Sequence, residues 1–146
     1  MVRVSSKIPS PKNLIPMIRL QKDIDDLFAN RKSLTRSGNQ TTTISSIYYL
    51  RELPEASEPI LFLLHAPKKF IKPAHERNKL KRWMREAIRK NEELEKIREI
   101  LSEKKQQALL LLRSDFKPSK DHAWNQIEGD ILIVMKLLLE KSQKSK

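Results

Sequence analysis

From Ala74 to Lys105 the chain contains neither glycine nor proline, and a short apolar run lies on either side of this stretch. An uninterrupted run of that length without backbone breakers reads as helix. The flanking segments, Ile60–Ala66 (ILFLLHA) and Gln107–Leu112 (QALLLL), have strand length and are apolar throughout, the pattern of strands covered on both faces. Strand, long helix, strand is the signature of a parallel pair joined by a crossover. The apolar stripe drifts along the helical stretch. Leu94, Ile97 and Leu101 do not continue the line of Leu80, Met84 and Ile88, which predicts a break near Asn91.

Around this centre the remaining elements follow by pattern. Residues 1–17 hold Pro9, Pro11 and Pro16 and are read as an extended, poorly ordered arm; they show no apolar signal-peptide core. From Ile18 to about Asn30, Leu20, Ile24, Leu27 and Phe28 share one helical face. Arg31–Gln40 is polar, carries Gly38, and reads as a loop or a short edge strand. Thr43–Leu53 is rich in β-branched and aromatic residues and reads as a strand, followed by a turn over Pro54–Pro59. After a loop containing Pro118, a last helix over about Ser119–Lys141 turns Trp124, Ile127, Ile131, Val134, Met135 and Leu138 inward. The expected fold is α+β, a two-layer α/β sandwich ordered helix, strand, strand, helix, strand, helix. One domain over residues 18–141 is expected, with a charged tail at 142–146.

Charge narrows the function classes. The chain of 146 residues carries 30 Lys and Arg against 18 Asp and Glu, a formal +12. Such an excess selects polyanionic partners. The segment Pro67–Asn91 (PKKFIKPAHERNKLKRWMREAIRKN) alone holds ten Lys or Arg against Glu76 and Glu86, a net +8. Helical projection places Leu80, Trp83, Met84, Ala87 and Ile88 on one face. Asn78, Arg82, Arg85 and Arg89 form a ridge opposite, flanked by Lys79 and Lys81, and Arg77 sits beside the apolar stripe. Solvated helix faces ordinarily mix charge signs at i,i+4 spacing. Here the ridge has one sign, with the carboxylates mostly elsewhere, and Arg forks match phosphate oxygens in pairs. A membrane-surface helix would need its apolar stripe left exposed, whereas the core requires this one. No run is long enough to span a bilayer, and a cytoplasmic protein with no membrane partner is expected. A DNA-reading helix would need a turn-helix partner that is not evident, so no DNA partner is expected either.

The same residues carry a resemblance. Arg77-Asn78-Lys79, then Leu80-Lys81-Arg82 and Met84-Arg85-Glu86-Ala87, resembles the RNR signature helix of the bacterial ribonuclease P protein family. The lead-in Pro67-Lys68-Lys69-Phe70, with Lys72 and Ala74, is similar to that family's strand-to-helix loop. The likeness in element order runs from Ile18 to Leu139; at residue level it is specific over Lys68–Arg89. It implies a left-handed crossover, against the usual hand. It also implies a protein subunit that docks on a catalytic RNA and holds the single-stranded 5′ leader of precursor tRNA, while the RNA with Mg²⁺ performs endonucleolytic 5′ maturation. Carried over by position, Lys72, Arg77, Asn78, Lys79, Lys81, Arg82, Arg85 and Arg89 would contact ribonuclease P RNA. Phe28, Tyr48, Tyr49, Lys68 and Lys69 would belong to the leader cleft, with only one of the two tyrosines able to face it. Departures exist: Lys79 stands for the third signature arginine, Ile24 for the first helix's first aromatic, and Ile71 and Lys72 where the family's loop has glycine. The rival reading is a non-enzymatic RNA-binding protein of similar fold, such as a ribosomal or assembly protein.

Other chemistry is set aside. With no cysteine, thiolate sites and disulfides are excluded. His65, His75 and His122 lack ligand spacing, so no metal site is expected. Asp23, Asp25 and Asp26 are taken to point apart on their helix and to favour its start electrostatically. With only Gly38 and Gly129 there is no phosphate-cradling loop. Trp83 and Trp124 lie on apolar helical faces and are read as core. No catalytic residue borne by the protein is expected.

Overall fold

The computed structural model describes residues 15–35, 44–69, 71–114 and 123–144. The expectations placed on residues 1–14, Gly38, Phe70, Pro118, the helix start at 119–122 with His122, and the last two residues lie outside these. The elements are α1 (Gln21–Asn30), β1 (Lys32–Thr35), β2 (Ile44–Glu52), β3 (Ile60–His65), α2 (Ala74–Lys90), α3 (Glu93–Lys104), β4 (Gln106–Ser114) and α4 (Ala123–Lys144). They form an α+β fold on a single mixed sheet of order β1-β2-β4-β3.

The strand–helix–strand unit closes as its pattern requires. β3 pairs parallel with β4 from Ile60↔Ala108 to His65↔Arg113, and β2 runs antiparallel to β4 on its other side, from Ile44↔Ser114 to Glu52↔Gln106. β4 is therefore central and almost wholly buried, whereas β3 alternates between buried and half-buried residues. Complete coverage of β3 was the expectation. The difference arises because Leu61 and Leu63 face the side of the sheet that, among the described residues, α1 and Ile18 cover. The long helical stretch breaks where its stripe drifts. Asn91 is extended, and its side-chain oxygen accepts from the Glu93 amide at 2.8 Å, so one residue ends α2 and caps α3.

Residue parity sorts the core into two clusters. Ile44, Tyr48, Ile60, Phe62, Leu64, Ala108, Leu110 and Leu112 meet the inward faces of α2, α3 and α4. Leu109 and Leu111, with Ile47, Tyr49, Leu61 and Leu63, meet Ile18, Ile24 and Leu27 around α1.

The polar segment after α1 takes the second of its two expected forms, a short edge strand: β1 pairs with β2 through Lys32↔Tyr48 and Ser33↔Ile47 and adds a strand to the expected order. Two helix boundaries differ from the sequence reading. The first helix starts at Gln21, not Ile18. Residues 16–18 are extended along β3, where the Phe62 amide donates to the Pro16 carbonyl (2.9 Å) and the Ile18 amide to the Phe62 carbonyl (2.8 Å). This occupies the outer edge of β3, and Ile15 beside it is buried in the core, so residues 15–17, expected in the arm, pack against the sheet. At the other end α4 continues through Lys144. The Lys104 ammonium donates to the carbonyls of Ser142 (2.7 Å) and Gln143 (2.9 Å), the favourable placement of a cation at a helix C-terminus.

Candidate nucleic-acid interface

Helix α2 turns Leu80, Met84, Ala87 and Ile88 into the core. Trp83 sits half-buried at the flank, edge to face with Trp124 at 6.4 Å, and both pack against the core as read from sequence. The Lys79 ammonium lies 4.9 Å from the Trp83 ring centre and that of Lys90 5.4 Å from Trp124. Asn78, Lys79 and Arg82 are exposed, while Lys81, Arg85 and Arg89 are half-exposed. These residues share the surface that the projection assigned to them.

The signature residues are not equivalent. The Arg77 guanidinium turns back and donates to the carbonyls of Ile71 (3.0 Å) and Lys72 (2.6 Å), which fixes the loop ahead of α2. Arg89 bonds Glu86 at 2.7 Å, so the expectation that neutralising carboxylates lie elsewhere fails for this arginine. The i,i+3 spacing brings the two together, and the hydrogen bond from Arg89 holds the Glu86 carboxyl below its ordinary pKa. Arg82 and Arg85 make no ion pair among the described residues. They are the centre of the basic ridge. Lys68, Lys69 and Lys72 are exposed on the loop that follows β3.

The opposite face of the sheet carries a second feature. Phe28, 42% exposed near the end of α1, borders a recess of about 310 Å³ with Arg31, Ser45, Ile47, Leu111 and Arg113. The Arg31 guanidinium stands 6.0 Å from the Phe28 ring centre. Arg113 pairs with His65, the last residue of β3, so the loop bearing Lys68 and Lys69 leaves the sheet at this end. Tyr49 shares the α1 side, whereas Tyr48 is 6% exposed on the other face, where burial raises its phenol pKa. Tyr48 is therefore removed from the candidate cleft. Sequence parity allowed one tyrosine, and the phase is set by Ile44 and Ser46, which are buried with Tyr48. Arg31, Ser45 and Arg113 were missed. Arg113 could have been found by extending the β4 alternation two residues past Leu111.

At the far end of α1 the aspartates also depart from expectation. Asp23 and Asp26, spaced i,i+3, converge on Arg51 at 2.9 and 2.8 Å instead of pointing apart. Burial alone would lower the Arg51 pKa, but the hydrogen bonds of Asp26 and Asp23 outweigh it and hold the guanidinium above its ordinary value. Arg51 also donates to Gln107 (2.9 Å), whose amide donates to the Glu58 carbonyl (2.8 Å).

A basic helix ridge thus lies on one side of the sheet and an aromatic recess on the other, with the lysine loop after β3 leaving the sheet at the recess end. The ribonuclease P family model matches residues 18–134. The chain belongs to the ribonuclease P protein family. Its role is accordingly that of the protein subunit of a tRNA-processing, RNA-binding ribonucleoprotein. A solved Staphylococcus aureus RNase P protein has a similar fold, with a TM-score of 0.52 at 18% identity, over 85% of this chain and 95% of that one. The Thermotoga maritima RNase P protein in complex with 1-(4-fluorophenyl)-2-thiourea aligns over 88% of this chain and 99% of that one, at 20% identity and a TM-score of 0.42. No curated protein matches the chain significantly by sequence. Among the described residues no helix is long and apolar enough to cross a membrane, and no group of three or more His, Cys, Asp or Glu could hold a metal ion.

Proposed function

We propose that the protein docks on the RNA subunit of ribonuclease P through the outer face of α2 and holds the 5′ leader of precursor tRNA against the α1 side of its sheet. The observation that carries this reading is the division of α2. Leu80, Met84 and Ile88 are committed to the core, and Arg82, Arg85, Asn78 and Lys79 are left on the surface. Guanidinium groups displayed this way bind phosphates and position the duplex without reading sequence. Arg77 takes a supporting part, since its bonds to the Ile71 and Lys72 carbonyls set the loop that presents Lys68, Lys69 and Lys72. On the other face Phe28 offers a ring on which a leader base can stack, with Arg31, Arg113, Lys68 and Lys69 near its phosphates. Tyr49 lies on the same side of the sheet, packed against the α1 cluster.

In this reading hydrolysis belongs to the RNA, in the cytoplasm, and Mg²⁺ held by RNA supplies the activated nucleophile and charge stabilisation. The protein's part is electrostatic and positional: its cations screen repulsion between substrate and catalytic RNA and so reduce the Mg²⁺ needed. The test is reconstitution with a bacterial ribonuclease P RNA at low Mg²⁺. The protein is expected to stimulate 5′ cleavage of precursor tRNA, and the stimulation should shrink as Mg²⁺ is raised. Failure to stimulate at any protein concentration would refute the reading and leave a non-enzymatic RNA-binding role.

A further inference from the structure

Helix α2 carries a second pattern beside its arginine ridge. At helical spacing Lys79, Trp83 and Lys90 fall within about 40° of one another around the axis. This flank meets α4 at Trp124, whose ring stands edge to face with that of Trp83, 6.4 Å between centres and 77° between planes. Both indoles rest on the core and are half-buried, so each keeps part of its surface toward solvent. A lysine ammonium lies over each ring, that of Lys79 at 4.9 Å from the centre of Trp83 and that of Lys90 at 5.4 Å from the centre of Trp124. Both lysines are exposed, and neither enters an ion pair among the described residues. Arg82 immediately precedes Trp83, so the pattern adjoins the basic ridge. Past Lys90 the surface changes character: Glu92, Glu93 and Glu128 line a recess of about 370 Å³ that reaches neither tryptophan.

Cation–π attraction at an exposed site is weaker than the stacking of a nucleobase on the same ring. A phosphate, in turn, is a stronger partner for an ammonium than a ring face is. Both exchanges favour one outcome when an unpaired nucleotide arrives: its base takes the ring and the lysine moves to its phosphate. Resting on the docking reading above, we propose that Trp83, with Trp124 as its edge-on wall, stacks an unpaired base of the RNA subunit. Lys79 and Lys90 then close on the phosphates to either side. A guanidinium ridge binds backbone phosphates whatever the sequence, whereas a stacking ring needs a base that has left its helix. The flank between α2 and α4 thus adds recognition of single-stranded RNA to docking by the ridge, and makes α4 part of the RNA interface. It lies on the α2 side of the sheet, away from the cluster around α1, so this base is not one of the leader's.

The experiment uses the full chain and a bacterial ribonuclease P RNA, with Kd measured across salt concentrations and tryptophan emission followed in parallel. The chain has two tryptophans and both belong to this site, so intrinsic emission reports on it without a label. In Trp124→Phe, where Trp83 is the single indole, the RNA subunit should quench emission before any precursor tRNA is present. Trp83→Leu should raise Kd roughly five- to a hundredfold. Its log–log salt slope should stay unchanged, because stacking releases no counterion, and Trp83→Phe should keep most of the affinity. Lys79→Ala should instead flatten the slope by about 0.7–0.9. Tight binding with Trp83 unquenched, or quenching that begins only when precursor tRNA is added, would overturn the stacking site and leave docking by the ridge intact. A Trp83→Leu loss accompanied by a flatter slope would also overturn it, since Trp83 would then serve only to hold the ridge. No binding of the unaltered protein to the RNA subunit would overturn the docking reading, and this site with it.

Discussion

Arg82 and Arg85 differ from Arg77 and Arg89 in what their guanidinium groups already hold. Arg77 is spent on two loop carbonyls and Arg89 on Glu86, while Arg82 and Arg85 enter no ion pair among the described residues. Replacing both with Ala is therefore expected to weaken binding to ribonuclease P RNA and to flatten its salt dependence, by roughly 0.7–0.9 in log–log slope per lost phosphate contact. Filter binding across a salt series measures this, and an unchanged slope would mean that the ridge is only solvated surface. The ridge was legible in the sequence because the 3.6-residue period and the charge of each residue suffice to draw it. The commitments of Arg77 and Arg89 were less legible. The first depends on where the loop carbonyls point, and the second on the competition of several arginines for Glu86. The tyrosine pair shows the same limit, since alternation separates Tyr48 from Tyr49 but does not say which face of the sheet α1 will cover.

At the scale of elements, the apolar runs and the breaker-free stretch specified β3, β4 and the α2–α3 bend, because burial and periodicity act locally on each. β1 and the strand-like residues 16–18 were not specified so clearly. Both are short polar or proline-containing segments ordered by pairing with an existing sheet edge, a tertiary effect that leaves little local pattern. Two junctions yield predictions. Lys105 closes α3 in the left-handed conformation, φ 57°, where a side chain carries a steric cost. Lys105→Gly is expected to stabilise the fold by up to about 1 kcal/mol, read as a raised denaturation midpoint at unchanged m-value. Arg51 pins α1 to β2 through two carboxylates, with its side chain 17% exposed. Arg51→Ala is expected to lower stability by about 2 kcal/mol, because Asp23 and Asp26 lose a charge-assisted partner at a largely covered site. Thermal unfolding checks this, and a loss below about 0.5 kcal/mol would show that the ion pairs do not hold α1 in place.

Over the whole molecule, the sheet separates the two interaction surfaces. α2 packs on the cluster containing Phe62 and Leu110, α1 on the cluster containing Leu109 and Leu111, and β4 contributes alternate residues to both. Ridge and recess thus lie on opposite sides of the sheet. Energetic effects of sites so placed combine additively within about 0.5 kcal/mol unless a conformational change links them. Phe28→Ala should leave affinity for the RNA subunit unchanged and weaken binding of leader-bearing precursor tRNA by about 1–3 kcal/mol, the range for loss of one stacking platform. Arg82→Ala/Arg85→Ala should do the reverse once the RNA subunit is saturated with protein. A double-mutant cycle on precursor binding then has a clear expectation: the combined variant loses the sum of the separate effects. A coupling well above 0.5 kcal/mol would mean that docking on α2 reshapes the α1 recess through β4, making RNA assembly a switch for leader binding. Additivity would identify the sheet as a rigid spacer that holds the leader at a fixed position relative to the RNA bound on the other face.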